Sequence, residues 1–170
     1  DPSSVPNNNS ILQNPSHNYS VAGTYSVTLI AATTNGCLDT LMQVITVNPK
    51  PVAAFTAPVV CFNNPTIFTD QTTTAIGTIT TWNWNFGDTT TTTMQSPSHT
   101  YNTSGTFTVT LIATNSFGCI DTLQQTVIVN PIPVVSLSSN LTNDTVCVGQ
   151  NLTLLASPQT YDNYAFYNGF

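Results

Sequence analysis

The chain contains no arginine, no glutamate and one lysine, Lys50, in 170 residues; its seven acids are all aspartates and its formal net charge is −6. Charged residues are 5% of the total, against about 25% in ordinary soluble domains. A single base can neutralise neither a phosphate backbone nor an anionic lipid surface, which excludes nucleic-acid binding and polybasic membrane attachment. No apolar run approaches the length of a membrane span, and no stretch reads as a signal peptide, so any targeting segment is expected upstream of Asp1. Nor does any segment carry a helical hydrophobic period. Thr, Asn, Ser and Gln stand where Lys and Glu usually supply solubility. Such a surface is insensitive to salt and pH, and suits an exposed extracellular location.

What the chain does have is a partial copy of itself. The run that starts at Asn14 returns 82 positions later at Ser96, without a gap and with about half of its positions identical. Pro15/Pro97, His17/His99, Tyr19/Tyr101, Gly23/Gly105, Cys37/Cys119, Asp39/Asp121 and Pro49/Pro131 all recur. An internal repeat converts one long chain into an array of small modules. A repeated site serves stacking or multivalent contact more readily than it serves one catalytic centre.

Strand signals dominate. From Thr106 to Ala113, apolar and hydroxylated residues alternate with period two, and Tyr25, Val27 and Leu29 match that pattern in the first copy. Leu123 to Val129 follows the turn residues Asn115 to Gly118, which reads as a hairpin. Trp82, Trp84 and Phe86 share one strand face, and Val52 to Phe55 and Ile67–Phe68 predict two further strands. Short strands between Gly, Pro and Asn turns indicate an all-β antiparallel sandwich. Pro49 and Pro51, then Pro131 and Pro133, hold two joints extended. Residues 1–48 are therefore expected to be the back part of one module, 52–130 a whole module, and 134–170 the front of a divergent third. Val146–Gln150 parallels the Val60–Cys61 region, whereas Tyr164–Gly169 has no Trp-rich counterpart. Neither end piece closes a core alone, so the parent protein is expected to be longer.

At Trp82–Asp88, then Ser96–Tyr101, then Gly105–Asn115, the chain resembles the PKD domain. That family is an immunoglobulin-like β-sandwich with a Trp-x-Phe-Gly-Asp-Gly run followed by His-x-Tyr and Gly-x-Tyr-x-Val-x-Leu. The resemblance covers 52–130 and, in its second half, 1–48, with Asp1-Pro2 set against Asp88-Thr89. Thr89 stands where the family usually has glycine. It implies tandem PKD-type sandwiches threaded head to tail, with Trp84, Phe86 and Tyr101 as core signature residues and Trp82 the nearest of the aromatics to the surface. The Gly118–Thr122 run and the cysteine before the second strand look like modules of secreted Bacteroidota proteins, among them gliding-motility adhesins and type IX secretion substrates. Residues 134–170 look similar to another immunoglobulin-like module of those proteins.

Candidate sites have plain structural alternatives. His17 and His99 could act as general bases, but no nucleophile held by a third group is visible. Capping of a strand corner, with Tyr101 anchoring the turn, is the favoured reading. Asp70 and Asp88 could share calcium, but carboxylates accepting turn N–H groups is favoured, and no cofactor or metal is expected. Four cysteines in an Asn/Thr-rich chain fit an oxidising compartment. Cys61 and Cys119 could pair within a module; alternatively each of Cys37, Cys61, Cys119 and Cys147 pairs with a neighbouring module. In an immunoglobulin-like topology Cys61 and Cys119 sit at opposite poles, which favours the second arrangement without closing the first. Asp-Thr pairs ending at Thr40, Thr89, Thr122 and Thr145 resemble the Bacteroidota O-glycosylation sequon.

Together these features predict a non-catalytic structural and adhesive segment of a long extracellular surface protein or filament. Its expected partners are neighbouring modules, further copies in a fibre, or surface polysaccharide. The alternative is an accessory carbohydrate-binding or spacer region of a secreted hydrolase, with a calcium-dependent adhesion module as a third reading.

Overall fold

The computed structural model describes residues 9–139, 145, 147, 148, 151–157, 163, 165 and 166. The chain divides into Asp1–Asn130 and Pro131–Phe170, and no helix occurs among the described residues. The alignment of Asp1-Pro2, and most of the Val146–Gln150 and Tyr164–Gly169 comparisons, lie outside them.

The repeat is preserved in the backbone. Strand β1 (Gly23–Ala32) pairs antiparallel with β2 (Leu38–Val47), from Gly23↔Val47 to Ala32↔Leu38. Strands β10 (Gly105–Asn115) and β11 (Ile120–Asn130) pair with the same register, from Gly105↔Val129 to Ala113↔Asp121. Period-two alternation decides which face each side chain takes. In the second copy that face is closed: Val109, Leu111 and Ala113 are fully buried, and Val127 and Val129 nearly so. The matching Val27 and Leu29 remain 45% and 61% exposed.

The difference is the covering layer. Residues 52–130 add β3 (Phe55–Thr56), β4 (Val60–Cys61), β5 (Thr66–Ile67), β6 (Thr69–Asp70), β7 (Ile79–Asn85), β8 (Thr91–Thr92) and β9 (Ser98–His99). One sheet runs β4-β11-β10-β7-β8; the pairs β3-β6 and β5-β9 are formed by the intervening short strands. Phe55, Phe68, Trp84, Phe86 and Tyr101 join the valines and Leu111 in one core. The Trp84 ring lies 5.0 Å from Phe55 and 5.5 Å from Phe68, and its Nε1 donates to the Met94 carbonyl at 2.9 Å. The apolar ring is thus buried with its single polar atom satisfied.

Two expectations need correction. The sandwich is not wholly antiparallel, because β4 runs parallel to β11 through Val60↔Val129 and Cys61↔Asn130. The first strand is also not continuous over Val52–Phe55. Val52 makes an isolated bridge to Thr73, Phe55–Thr56 pairs with β6, and the chain crosses to the other sheet after Pro58. A proline offers no ladder N–H, so the strand breaks there and changes partner.

In Pro131–Phe170, β12 (Ser136–Ser139) pairs antiparallel with β13 (Leu154–Ser157). Leu137 and Leu155 of this pair stay exposed.

Thr66 is fully buried in β5, and its hydroxyl has no hydrogen-bond partner among the described residues. A buried, unpaired hydroxyl opposes folding, so an isosteric apolar replacement should help. Thr66→Val is expected to raise unfolding free energy by about 1 kcal/mol in urea titration; a loss of stability would show that the hydroxyl is satisfied.

Candidate functional site

The strand carrying Trp84 ends in a tight turn that builds the first polar cluster. Gly87 has φ 82°, and a Cβ there would stand 2.6 Å from the Thr108 carbonyl oxygen. Thr89, in the usual glycine position, also takes a left-handed conformation, φ 76°, at a cost of roughly 1 kcal/mol. Asp88 holds the turn together: its Oδ1 accepts from the Thr90 backbone N–H at 3.1 Å and the Thr90 hydroxyl at 2.5 Å. Its Oδ2 accepts from His99 Nε2 at 2.7 Å. Burial alone pushes the Asp88 carboxyl up, but hydrogen bonds from Thr90 and His99 outweigh it and hold the pKa below its ordinary value.

A carboxylate, a histidine and a hydroxyl in contact invite comparison with a hydrolytic triad. The geometry argues against it. In a working triad the acid holds one imidazole nitrogen and the nucleophile faces the other. Here Thr90 Oγ1 lies 3.3 Å from His99 Nε2, the same nitrogen that meets Asp88. The threonine proton is already directed at the carboxylate, and Nε2 cannot both donate to Asp88 and accept from Thr90. The ring itself is clamped, stacked on Phe86 at 4.2 Å and set edge-on to Tyr101 at 4.6 Å. Tyr101 is buried, and its hydroxyl donates to the Phe86 carbonyl at 3.1 Å. Burial, with the Asp88 charge, raises its phenol above the ordinary value. The cluster is a corner lock. In the first copy His17, Tyr19 and Tyr25 keep the same ring sequence, at 4.6 and 4.5 Å.

Asp70 and Asp88 are engaged separately. Asp70 accepts from Trp82 Nε1 at 2.8 Å, Gln95 Nε2 at 3.1 Å and the Thr72 backbone N–H at 3.0 Å. No three metal-ligating side chains cluster among the described residues. Trp82 is partly buried against the core rather than laid open as a platform.

The second cluster, which sequence reasoning did not assign, surrounds the entry joint. Asn115 is 1% exposed at the hairpin tip. Its Oδ1 accepts from the Phe117 and Cys119 backbone N–H groups, and its Nδ2 donates to the Pro49 carbonyl at 3.0 Å. Asp121 Oδ2 accepts from the Ala53 backbone N–H at 2.9 Å, and Cys119 Sγ lies 3.8 Å from the Asn48 carbonyl. The tip of the hairpin therefore grips residues 48–53. The exact recurrence of Asp39 and Asp121 was the available signal, but the contact spans 68 residues and no local spacing reveals it. Thr33 occupies the place of Asn115 in the first copy; its hydroxyl accepts from the Cys37 N–H at 3.1 Å, but it has no amide with which to donate.

At the opposite end, Cys61 pairs with Asn130, and the Asn130 carbonyl accepts from the Phe62 N–H at 2.8 Å. Cys37, Cys61 and Cys119 are free thiols. Thr40, Thr89, Thr122 and Thr145 are exposed. An open trough of about 540 Å³ beside β7 is lined by Asn83, Trp84, Asn85, Thr91, Thr92, Thr93, Thr110 and Ile112, without a charged group.

Residues 48–130 match the family model described as PKD domain. Among solved structures, the chain is similar to the PKD1 domain of Vibrio anguillarum Epp, at 25% identity and TM-score 0.48, covering 50% of this chain and 99% of that one. It is similar also to the PKD1 domain from Vibrio cholerae metalloprotease PrtV, at 32% identity and TM-score 0.46, covering 48% and 99%. A third likeness is to carbohydrate-binding modules of the β-sandwich superfamily, at 22% identity and TM-score 0.49, covering 55% and 45%.

Two outcomes test the clusters. Asn115→Ala removes the grip on Pro49 and strands two backbone donors, and is expected to cost about 1–3 kcal/mol in chemical denaturation, whereas Asn115→Thr should recover part of it. For Asp88 the folded pKa is depressed, so its contribution is complete above the ordinary value near 3.8 and is lost as pH falls through the folded value. The melting-temperature gap between the native chain and Asp88→Asn should therefore be steady above about pH 5 and shrink in stronger acid; a gap that widens there contradicts the lock.

Proposed function

We propose that the PKD-type, immunoglobulin-like domain of residues 48–130 is one non-catalytic link in an extracellular array with structural and adhesive duty. The entry joint carries this reading. A free tether would leave residues 48–53 in solvent, but here Asn115 holds Pro49 and Asp121 holds Ala53. A linker bonded to the domain it enters transmits orientation and load, which a loosely hung domain cannot do. A hairpin of the same register 82 residues earlier supports repetition of the unit. Among the described residues the catalytic-looking cluster around His99 is a closed lock, and the surface carries too little charge to recruit polyanions.

In this reading the partners are neighbouring modules, further copies packed side by side, or a neutral surface polymer. The parent protein is a secreted or cell-surface protein of the kind exemplified by Bacteroidota gliding-motility adhesins and type IX secretion substrates. One observation favours a second reading, an accessory module beside a secreted hydrolase: the uncharged trough, where amides and hydroxyls stand beside Trp84 and Ile112, suits a neutral sugar chain.

Small-angle scattering on chains of two, three and four domains joined at the native spacing tests the array. The longest dimension should grow by a constant step on the order of 35–40 Å per copy, the reach of an 11-residue strand with its joint. A size that grows as a flexible coil would overturn the reading. Turnover by the purified chain would overturn its non-catalytic part, and retention on an insoluble neutral polysaccharide would transfer the assignment to the accessory module.

A further inference from the structure

We infer that consecutive copies of this domain are stapled across their joint by a disulfide between the Cys61 position of one copy and the Cys119 position of the next. The inference rests on the array reading. Within one domain the two thiols cannot meet. Cys61 is paired with Asn130 at one end of β11, and Cys119 immediately precedes Ile120 at the other. The 11 residues of that strand separate them by roughly 35 Å, and a disulfide needs Cα atoms within about 7 Å.

Each thiol instead marks a joint. Cys119 Sγ sits 3.8 Å from the carbonyl of Asn48, where the chain enters the domain. Cys61 is the cross-strand partner of Asn130, where the chain leaves it. Asn48 and Asn130 are the same residue of the repeat, followed by Pro49 and Pro131 at the 82-residue period. When one copy follows another, the Asn130 of the first is the Asn48 of the second. The Cys61 of the first and the Cys119 of the second then flank one asparagine. The carbonyl of that asparagine accepts the Phe62 N–H of the first copy at 2.8 Å and lies 3.8 Å from the Cys119 sulfur of the second, which brings the two cysteines to one oxygen. Cys61 is exposed and Cys119 partly so, which leaves both open to an oxidant. Cys37 holds the Cys119 position of the first hairpin, with the same turn bond from its N–H to residue 33.

The chemistry balances with an external disulfide as oxidant. One thiolate attacks oxidised glutathione and releases one reduced glutathione. The second thiolate then displaces the other from the mixed disulfide, so two protein thiols become one disulfide and the oxidant becomes two thiols.

The domain is suited to the test, because every buried apolar residue of the core lies between Ala53 and Val129. Residues 48–130 followed directly by 49–130 reproduce the joint. With Cys119→Ser in the first copy and Cys61→Ser in the second, only the proposed pair remains. Oxidised glutathione should convert both thiols into one internal disulfide, two hydrogens lighter and without bound glutathione or dimers, and should raise the melting temperature. With the reverse substitutions the remaining thiols lie at the two far ends, and intact mass should show them free or carrying glutathione, with no internal disulfide. The single domain should likewise form no internal disulfide. Retained thiols in the first variant, dimers in place of an internal bond, or a disulfide in the single domain would each reject the staple. Scattering on the unoxidised tandem keeps the two ideas apart. A rod that fails to oxidise leaves the array without its staple, whereas a flexible unoxidised tandem removes the array itself.

Discussion

An amphipathic hairpin has one face that water must not keep, and the rest of this domain is arranged around covering it. In β10 and β11 the face of Val109, Leu111, Val127 and Val129 is sealed by Phe55, Phe68, Trp84 and Phe86. Fully burying side chains of this kind is worth about 1.5–3 kcal/mol each. The first hairpin has nearly the same residues in the same register and leaves Val27, Leu29 and Leu41 45–65% exposed. Identical local propensity gives a core in one place and an open sheet in the other. Strand formation follows from alternation, whereas stability follows from the aromatic layer that lies 20 to 50 residues upstream.

Polar groups then fix what the core leaves free. With one base in the chain, aspartates have almost no cations to pair with, and three of them in this domain serve instead as acceptors of directed N–H and O–H bonds. Asp88 closes the turn after β7 and binds His99, Asp70 gathers Trp82 and Gln95, and Asp121 reaches Ala53. The preference for aspartate over glutamate has a physical reason: a short side chain meets nearby backbone donors at turns with little rotamer entropy to lose. The scarcity of charge and the abundance of turn locks are two sides of one design, in which geometry rather than ionic attraction holds the loops.

Much of this was readable from residue order. Alternation from Thr106 to Ala113 marks a half-buried strand, the 82-residue period marks the repeat, and the prolines mark the joints. Trp84, Phe86 and Tyr101, core residues by the resemblance to PKD domains, are buried. What escaped were relations that depend on chain crossing. The parallel contact of Val60–Cys61 with Val129–Asn130 cannot be inferred from two residues, and it exists because Pro58 breaks the first strand and sends it to the other sheet. The bonds from Asn115 to Pro49 and from Asp121 to Ala53 cross 66 and 68 residues. The character of the His99 cluster was undecidable for a different reason, since it turns on which ring nitrogen meets which oxygen.

In the proposed array these contacts give the repeated hairpin a mechanical role. Its tip carries Asn115, Cys119 and Asp121, which hold the entering chain; its base carries Asn130, which is held by β4 as the chain leaves. One strand, β11, therefore runs from joint to joint. A pull applied through Pro49 and Asn130 enters at one end of that strand and exits at the other, so the hairpin is a strut and the remaining strands are its cover. A strut must keep its length and register, because one inserted residue would turn its apolar face outward and misplace a joint. The cover has only to be apolar on one side. In that array the constraint on β10 and β11 is the distance between two prolines.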